Sequence, residues 1–554
     1  MAALLLAAAF LAIWCIYNGY CLLLNYHRAS QLKIPIVCVP ISPDNPIWIA
    51  LQTSFSSVFK YVPFNYFSVT RYCRLGWEFH DRYKTHQRLG DAWILVTPDK
   101  NWFHTSHAEA ACDIFSRSQE FGRPVWMSDA LKVFGPNVAT AEGSDWQRQR
   151  KLTAAPFMNK RAASDGSKNT SEDIRTLALH VLAYVGFQKS YPFSSVAKTT
   201  GVRQPSTYRD SLSIILQNVL VVLVLPSIAF QIPFLLTKWR QIGWAITDFR
   251  EYMLEQLTEE KRLIAEGKPG SGTLMSNLVR ASEVQQEVAG MGRSERAYMD
   301  GKSHEMKLLS VDEILGNVFV FNFAGHDTTA ISLAYSVLLL VAHPEVQEWI
   351  GEELDFYLET DKSETWRYEI VFPRLKRCLA VLLETLRLYN PLPGVPKYTG
   401  RQSRVLQVRN QEVIIPPNTL VVANLMALQT HPRYWGQDSL TWRPSRWILG
   451  SEKEVRGDLS NRFDNETLLK PEKGTFIAWS EGARSCPGKK FAQVEFVAAM
   501  AALFQKHRVE PVSKAGETLA AARKRVLNVV KDSNVELLLQ MRDPDSVSVR
   551  WIPR

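Results

Sequence analysis

From Ala2 to Leu24 the chain runs 23 consecutive positions without a charge, and Asn18 is the only strongly polar side chain among them. As a helix at ~1.5 Å per residue this stretch is about 34 Å long, enough for a hydrocarbon core of ~30 Å. No basic leader and no small-residue cleavage site precede Asn25, so the stretch reads as an anchor rather than a cleaved signal. His27, Arg28 and Lys33 follow it, which places the downstream chain on the cytosolic side. The next segment, Ile34 to Pro46, holds four prolines in 13 residues and reads as a stiff connector. The expected division is an anchor at 1–25, a proline-rich connector at 26–50 and one catalytic domain at 51–554.

Beyond the connector the pattern is mostly helical. Residues 77–88 read as a helix, and Ala92 to Val96 and Trp102 to Thr105 read as strands about a turn at Thr97-Pro-Asp-Lys-Asn101. No charge occurs between Asp210 and Lys238, but Pro226, Pro233 and scattered amides argue against a second span. Two helices meeting at an apolar tip near 225–236, able to dip into a bilayer surface, fit better. A long charged amphipathic helix follows at 239–265, and 267–310 is a polar connection with a short helix inside. Asp312 to Ala342 reads as one long apolar helix, central and buried. The expectation is a mainly α fold with a small β region.

Composition narrows the partners. Lys plus Arg is 65 against 55 for Asp plus Glu, a net +10 that is modest for 554 residues. With no long basic run, this suits an acidic partner or an anionic membrane surface and does not suggest nucleic acid. Seven cysteines are scattered without a CxxC spacing, which argues against zinc and for a reducing compartment.

Four places carry candidate chemistry. The first is Trp479-Ser-Glu-Gly-Ala-Arg-Ser-Cys486-Pro-Gly488, a cysteine in a glycine-bearing loop before the apolar run Phe491 to Phe504. Such a loop can present a thiolate, the form that ligates iron. Gly482 and Gly488 allow a tight turn and close approach of a flat ligand, and Arg484 can pair with an acidic group on it. From these residues alone, a structural cysteine in a turn is the commoner case. The second is Phe323-Ala-Gly-His-Asp-Thr-Thr329, where a glycine and polar groups interrupt a buried helix, as functional sites often do. Trp146 and Arg150 share one helix face at i and i+4, and Glu384 and Arg387 share another at i and i+3.

The cysteine loop resembles the heme-binding loop of the cytochrome P450 family, Phe-x-x-Gly-x-Arg-x-Cys-x-Gly, with Trp479 at the Phe position. The other three places resemble that family's motifs in order and spacing. The resemblance implies the cytochrome P450 fold, with heme b (iron protoporphyrin IX) ligated axially by Cys486. It implies that Ala324 and Gly325 open a groove beside the iron, that Thr328 handles dioxygen and its water, and that Asp327 feeds protons. Trp146, Arg150 and Arg484 would bind propionates, with Lys397 as a further cation and Arg401 as its second choice. Glu384, Arg387 and Arg446 would form a structural triad, with Trp442 where Phe is usual. The implied activity is monooxygenation of an apolar small molecule, with electrons from NADPH through NADPH-cytochrome P450 reductase, and with cytochrome b5 as an auxiliary donor. Lys489 and Lys490 suit docking of such an acidic partner. The implied setting is a single-pass endoplasmic reticulum protein with a cytosolic catalytic domain, most like filamentous-fungal members that tailor secondary metabolites. A heme-thiolate isomerase or dehydratase needing neither dioxygen nor reductase is the alternative; the Asp327–Thr328 pair speaks against it.

Overall fold

The computed structural model describes residues 1–45, 48–49, 51–52, 68–154, 170–187, 207–225, 229–230, 237–268, 273–280, 309–358, 366–450 and 463–554. The chain divides into two compact units. The first holds residues 1–124, 380–486 and 524–546; the second holds 125–379, 487–523 and 547–554.

The first unit carries most of the β structure. Its strands include β1 (Ile36–Cys38), β2 (Ala92–Val96), β3 (Asn101–Thr105), β4 (Lys397–Tyr398), β5 (Arg404–Val408), β6 (Gln411–Ile415) and β7 (Thr419–Ala423). Five of them form one sheet in the order β1-β2-β3-β7-β4, and β5 and β6 pair as a separate antiparallel hairpin. β1 lies inside the stretch expected to be a connector. Pro35 and Pro40 bracket the strand and do not interrupt it, so Ile36 to Cys38 keep the N–H groups needed to pair with β2. The expected boundary at residue 25 also falls inside a helix, which runs from Ala2 to Ser30. Ala29, Leu32 and Ile34 are buried with Leu406, Val408, Val413 and Ile415 of the hairpin. Asn25 donates to the carbonyls of Thr97 and Pro98 at 2.9 and 3.1 Å, closing the β2–β3 turn onto the helix.

The second unit is built around the helix Val311–Ala342, opened by a capping box between Ser310 and Glu313. Apolar residues surround it on every side except one strip, so it has the length of a membrane span but is buried as a core helix. The helices Tyr208–Gln217, Val219–Val224 and Thr237–Ala265 pack into the same apolar core, as do Leu274, Met275, Leu278 and Val279 within the polar connection. Leu212, Ile215, Leu216 and Val222 therefore point inward. Most of the expected tip, 226–228 and 231–236, lies outside the described residues. Phe230 packs beside Trp239 with ring centroids 6.2 Å apart.

Candidate active site

In the first unit, the helix Ala108–Ser116 forms the seat of the cysteine loop. At Gly474 (φ +84) a Cβ would stand 2.2 Å from the Ala108 carbonyl, and at Gly482 (φ +72) 2.6 Å from the Phe115 carbonyl. Both positions demand glycine for conformation and for space. Between them Cys112 Sγ lies 3.6 Å from Glu481 Oε2. The Ser480 backbone is also left-handed, and the Cys486 N–H donates to the Trp479 carbonyl at 2.8 Å, closing the loop on itself. Gly488 has an ordinary negative φ and stands as N-cap of the helix Lys489–Phe504, so the tight turn expected there falls at Ser480 and Gly482.

The triad residues meet in the same unit. Glu384 and Arg387 are fully buried and bonded twice, at 2.8 and 2.9 Å. Arg446 Nε, the Arg443 N–H and Trp447 Nε1 each donate to the Glu384 carboxylate at 2.9 Å. The Arg387 guanidinium also donates to the carbonyls of Gln429, Ser439 and Thr441. Trp442 fills the expected Phe position and uses its indole, whose N–H donates to Thr385 Oγ1 at 3.2 Å. From Trp447 an aromatic column continues edge-to-face to Phe476 (4.8 Å) and on to Trp479 (6.2 Å). The carboxylate of Glu384 is thus mechanically continuous with the cysteine loop. Lys397 is 3 % exposed, its Nζ 5.1 Å above the Phe115 ring, whereas Arg401 is on the surface.

In the second unit, the helix Gly143–Ala154 carries Trp146 and Arg150. Its neighbours fix it: Arg148 pairs with Glu313 at 2.6 Å, Gln149 donates to Glu313 at 3.0 Å, and Asn317 donates to Gln149 at 2.9 Å. Asn317 also accepts the Val138 N–H at 2.8 Å. Sequence reasoning missed these residues; the signal was Asn317, an amide in an apolar helix. Opposing pushes set the Glu313 carboxyl: burial raises it, but Arg148 and the Ser310 N–H hold it below the usual carboxylate range.

Along the central helix, Ala324 is exposed and Thr328 half-buried, one turn apart on a strip left open between buried segments. Thr328 Oγ1 donates back to the Ala324 carbonyl at 2.7 Å. Gly325 faces the other way. A Cβ there would sit 3.3 Å from Leu182 of the helix Thr170–Phe187, so this glycine serves a close helix crossing, not the expected groove. His326 is buried, with Nε2 2.9 Å from the Arg175 carbonyl. Burial pushes the Asp327 carboxyl up, but His326 and the Arg175 guanidinium, 3.7 Å away, hold it below its ordinary value. Phe321 is buried in the core, and Phe323 stacks on Phe319 at 6.1 Å. Lys490, expected to face a partner, rests its Nζ 3.7 Å above the Phe372 ring.

Within the units, the donor set fits a heme. In one unit a cysteine closes a loop that also carries Arg484, and the buried Lys397 lies over Phe115 of the helix that seats that loop. An alanine–threonine strip interrupts a buried helix in the other. The family model for Cytochrome P450 matches residues 64–533. A cytochrome P450 monooxygenase of Arthrobotrys oligospora is 27 % identical over 97 % of this chain and 96 % of its own. The phomenoic acid biosynthesis cluster cytochrome P450 monooxygenase of Leptosphaeria maculans is 26 % identical over 90 % of each. A solved zebra fish cytochrome P450 with progesterone covers 86 % of this chain and 99 % of its own, with a TM-score of 0.58 and 19 % identity.

Proposed function

The chain belongs to the cytochrome P450 family and is a monooxygenase of it, and from that premise we propose that it oxygenates an apolar small molecule in fungal secondary metabolism. The observation that supports the reading best is the cysteine loop held by the helix Ala108–Ser116 and buttressed from Glu384 through Trp447 and Phe476. When bound, heme b supplies dioxygen activation and oxygen transfer. Cys486 would hold it through sulfur, with Arg484, Lys397, Trp146 and Arg150 neutralising and orienting its acidic groups. The burial of Lys397 and the exposure of Arg401 favour Lys397 in that role.

In the second unit, Ala324 is exposed and Thr328 keeps a hydroxyl at the open strip. Asp327, ionised near neutrality, takes up protons and passes them on. Each turnover needs two protons and two electrons, so that one oxygen enters product and the other leaves as water. The electrons come from NADPH through a membrane-bound reductase, with cytochrome b5 as auxiliary donor. The apolar first helix anchors the protein in the endoplasmic reticulum membrane, with the rest cytosolic. The test is a reduced carbon-monoxide difference spectrum. Wild type should show the red-shifted thiolate band and Cys486→Ala should lose it; a wild type without the band would overturn the reading.

A further inference from the structure

His326 is 5 % exposed, and each of its ring nitrogens faces a polar oxygen. Its Nε2 lies 2.9 Å from the backbone carbonyl of Arg175. A carbonyl oxygen only accepts, so Nε2 must carry the hydrogen. The second nitrogen, Nδ1, is buried without a hydrogen-bond partner and stands 3.3 Å from Asp327 Oδ1, off the line of a full hydrogen bond. If Nδ1 and Oδ1 were both bare, two acceptors would face each other across that gap, away from water, and repel. A proton on either atom turns the contact into an attraction.

We propose that His326 and Asp327 hold one proton between them, so that His326 is the group that re-protonates Asp327 during turnover. The proposal rests on the reading of Asp327 as the proton-feeding carboxylate. The step is a proton transfer alone. The N–H bond at Nδ1 breaks, an O–H bond forms at Oδ1, and the imidazole regains its proton from solvent. Solvent is near: the Arg175 side chain, whose Nε lies 3.7 Å from Asp327 Oδ1, is 44 % exposed.

The surroundings favour this proton and leave room for it to travel. The helix Thr170–Phe187 packs along the central helix and brings Arg175 to the pair; it also carries His180, whose ring burial keeps neutral. The helix Thr237–Ala265 contributes Arg250, engaged with Asp312 at the far N-terminal end. The helix Lys489–Phe504 contributes Glu495, a carboxyl that burial keeps protonated near neutrality. Arg175 and an imidazolium both stabilise the Asp327 carboxylate, whereas Arg175 opposes a charge on His326. That opposition keeps the shared proton transferable.

The test reads the ring directly. Full-length, heme-loaded protein with isotope-labelled histidine is reduced under carbon monoxide, which makes it diamagnetic, and the imidazole nitrogens are followed by NMR from pH 5 to 9. The His326 resonance is assigned by its loss in His326→Gln, which keeps an amide N–H for the Arg175 carbonyl. The expected result is hydrogen on both ring nitrogens near neutrality in wild type, and on Nε2 alone in Asp327→Asn. A neutral Nε2–H ring across the whole range, indifferent to Asp327→Asn, would overturn the proposal.

Kinetics give a second arm. His326→Gln should lower coupled turnover roughly tenfold near neutrality, at the low end of general acid–base contributions. That deficit should change with pH; a deficit constant with pH indicates packing only and also overturns it. If Asp327→Asn leaves coupled turnover intact, it is the proton-feeding reading that fails, and the NMR result still decides whether the proton is shared.

Discussion

Buried acids that no ion pair compensates are the residues whose chemistry is most exposed to pH. Glu495, 8 % exposed, has Oε2 buried without a hydrogen-bond partner, and burial pushes its carboxyl up to about 8. Its unfolded value is the ordinary one near ~4.3. Between those values the folded state holds a proton that the unfolded state has released. Stability is therefore fully present below the unfolded value and lost as pH rises through the folded one. Glu495→Gln removes that linkage. Its thermal midpoint should match wild type near pH 4 and exceed it increasingly up to pH 8; a difference that stays flat with pH would show that the side chain is not held protonated. The charge at 495 could be read from the sequence. Its burial could not, because a lone Glu in an apolar helix reads equally well as the solvent-facing edge.

At the scale of elements, the cysteine loop is positioned by a chain of contacts that begins on a helix remote from it in sequence. Five donors converge on Glu384: two from Arg387, one each from Arg446, the Arg443 backbone and Trp447. Removing the carboxylate leaves Arg387 buried without its partner, a loss of about 3–5 kcal/mol. Glu384→Ala should therefore yield protein with little bound heme and a lowered thermal midpoint, measured by heme content and calorimetry. Normal heme occupancy in that variant would disprove the mechanical link. Glu384 and Arg387 were legible because i, i+3 charges in an apolar helix need partners, and Arg446 only through the family resemblance. Trp447 and Phe476 were not, since their roles exist only once the chain has folded. The helix Gly143–Ala154 repeats the lesson: Trp146 and Arg150 share a visible face, but Arg148, Gln149 and Asn317, which fix that face, are linked across more than one hundred and sixty residues. Gly325 was misread because a helical glycine does not reveal which side its missing Cβ faces; Leu182 decides it.

For the whole molecule, the first helix changes character along its length. Up to Leu24 it presents Leu5, Leu6, Phe10, Ile13 and Ile16 outward, as a membrane anchor requires. From Asn25 onward it belongs to the globule: Asn25 bonds the β2–β3 turn, and Ala29 and Leu32 are buried in one apolar cluster with residues of β2, β3 and the β5–β6 hairpin. The uncharged run marks the first half as a candidate span, but the prolines after it suggested a detached connector, because their bracketing of β1 shows only in the strand pairing. The division predicts two truncations with different outcomes. Removing residues 2–24 should release the protein from membranes and leave its thermal midpoint unchanged. Removing 2–32 should also lower the midpoint, since burial of Leu32 contributes about 1.5–3 kcal/mol and each Asn25 hydrogen bond about 1 kcal/mol. Equal midpoints for the two truncations would mean that the segment 25–32 is only a tether, and that the hairpin's inner face holds without it.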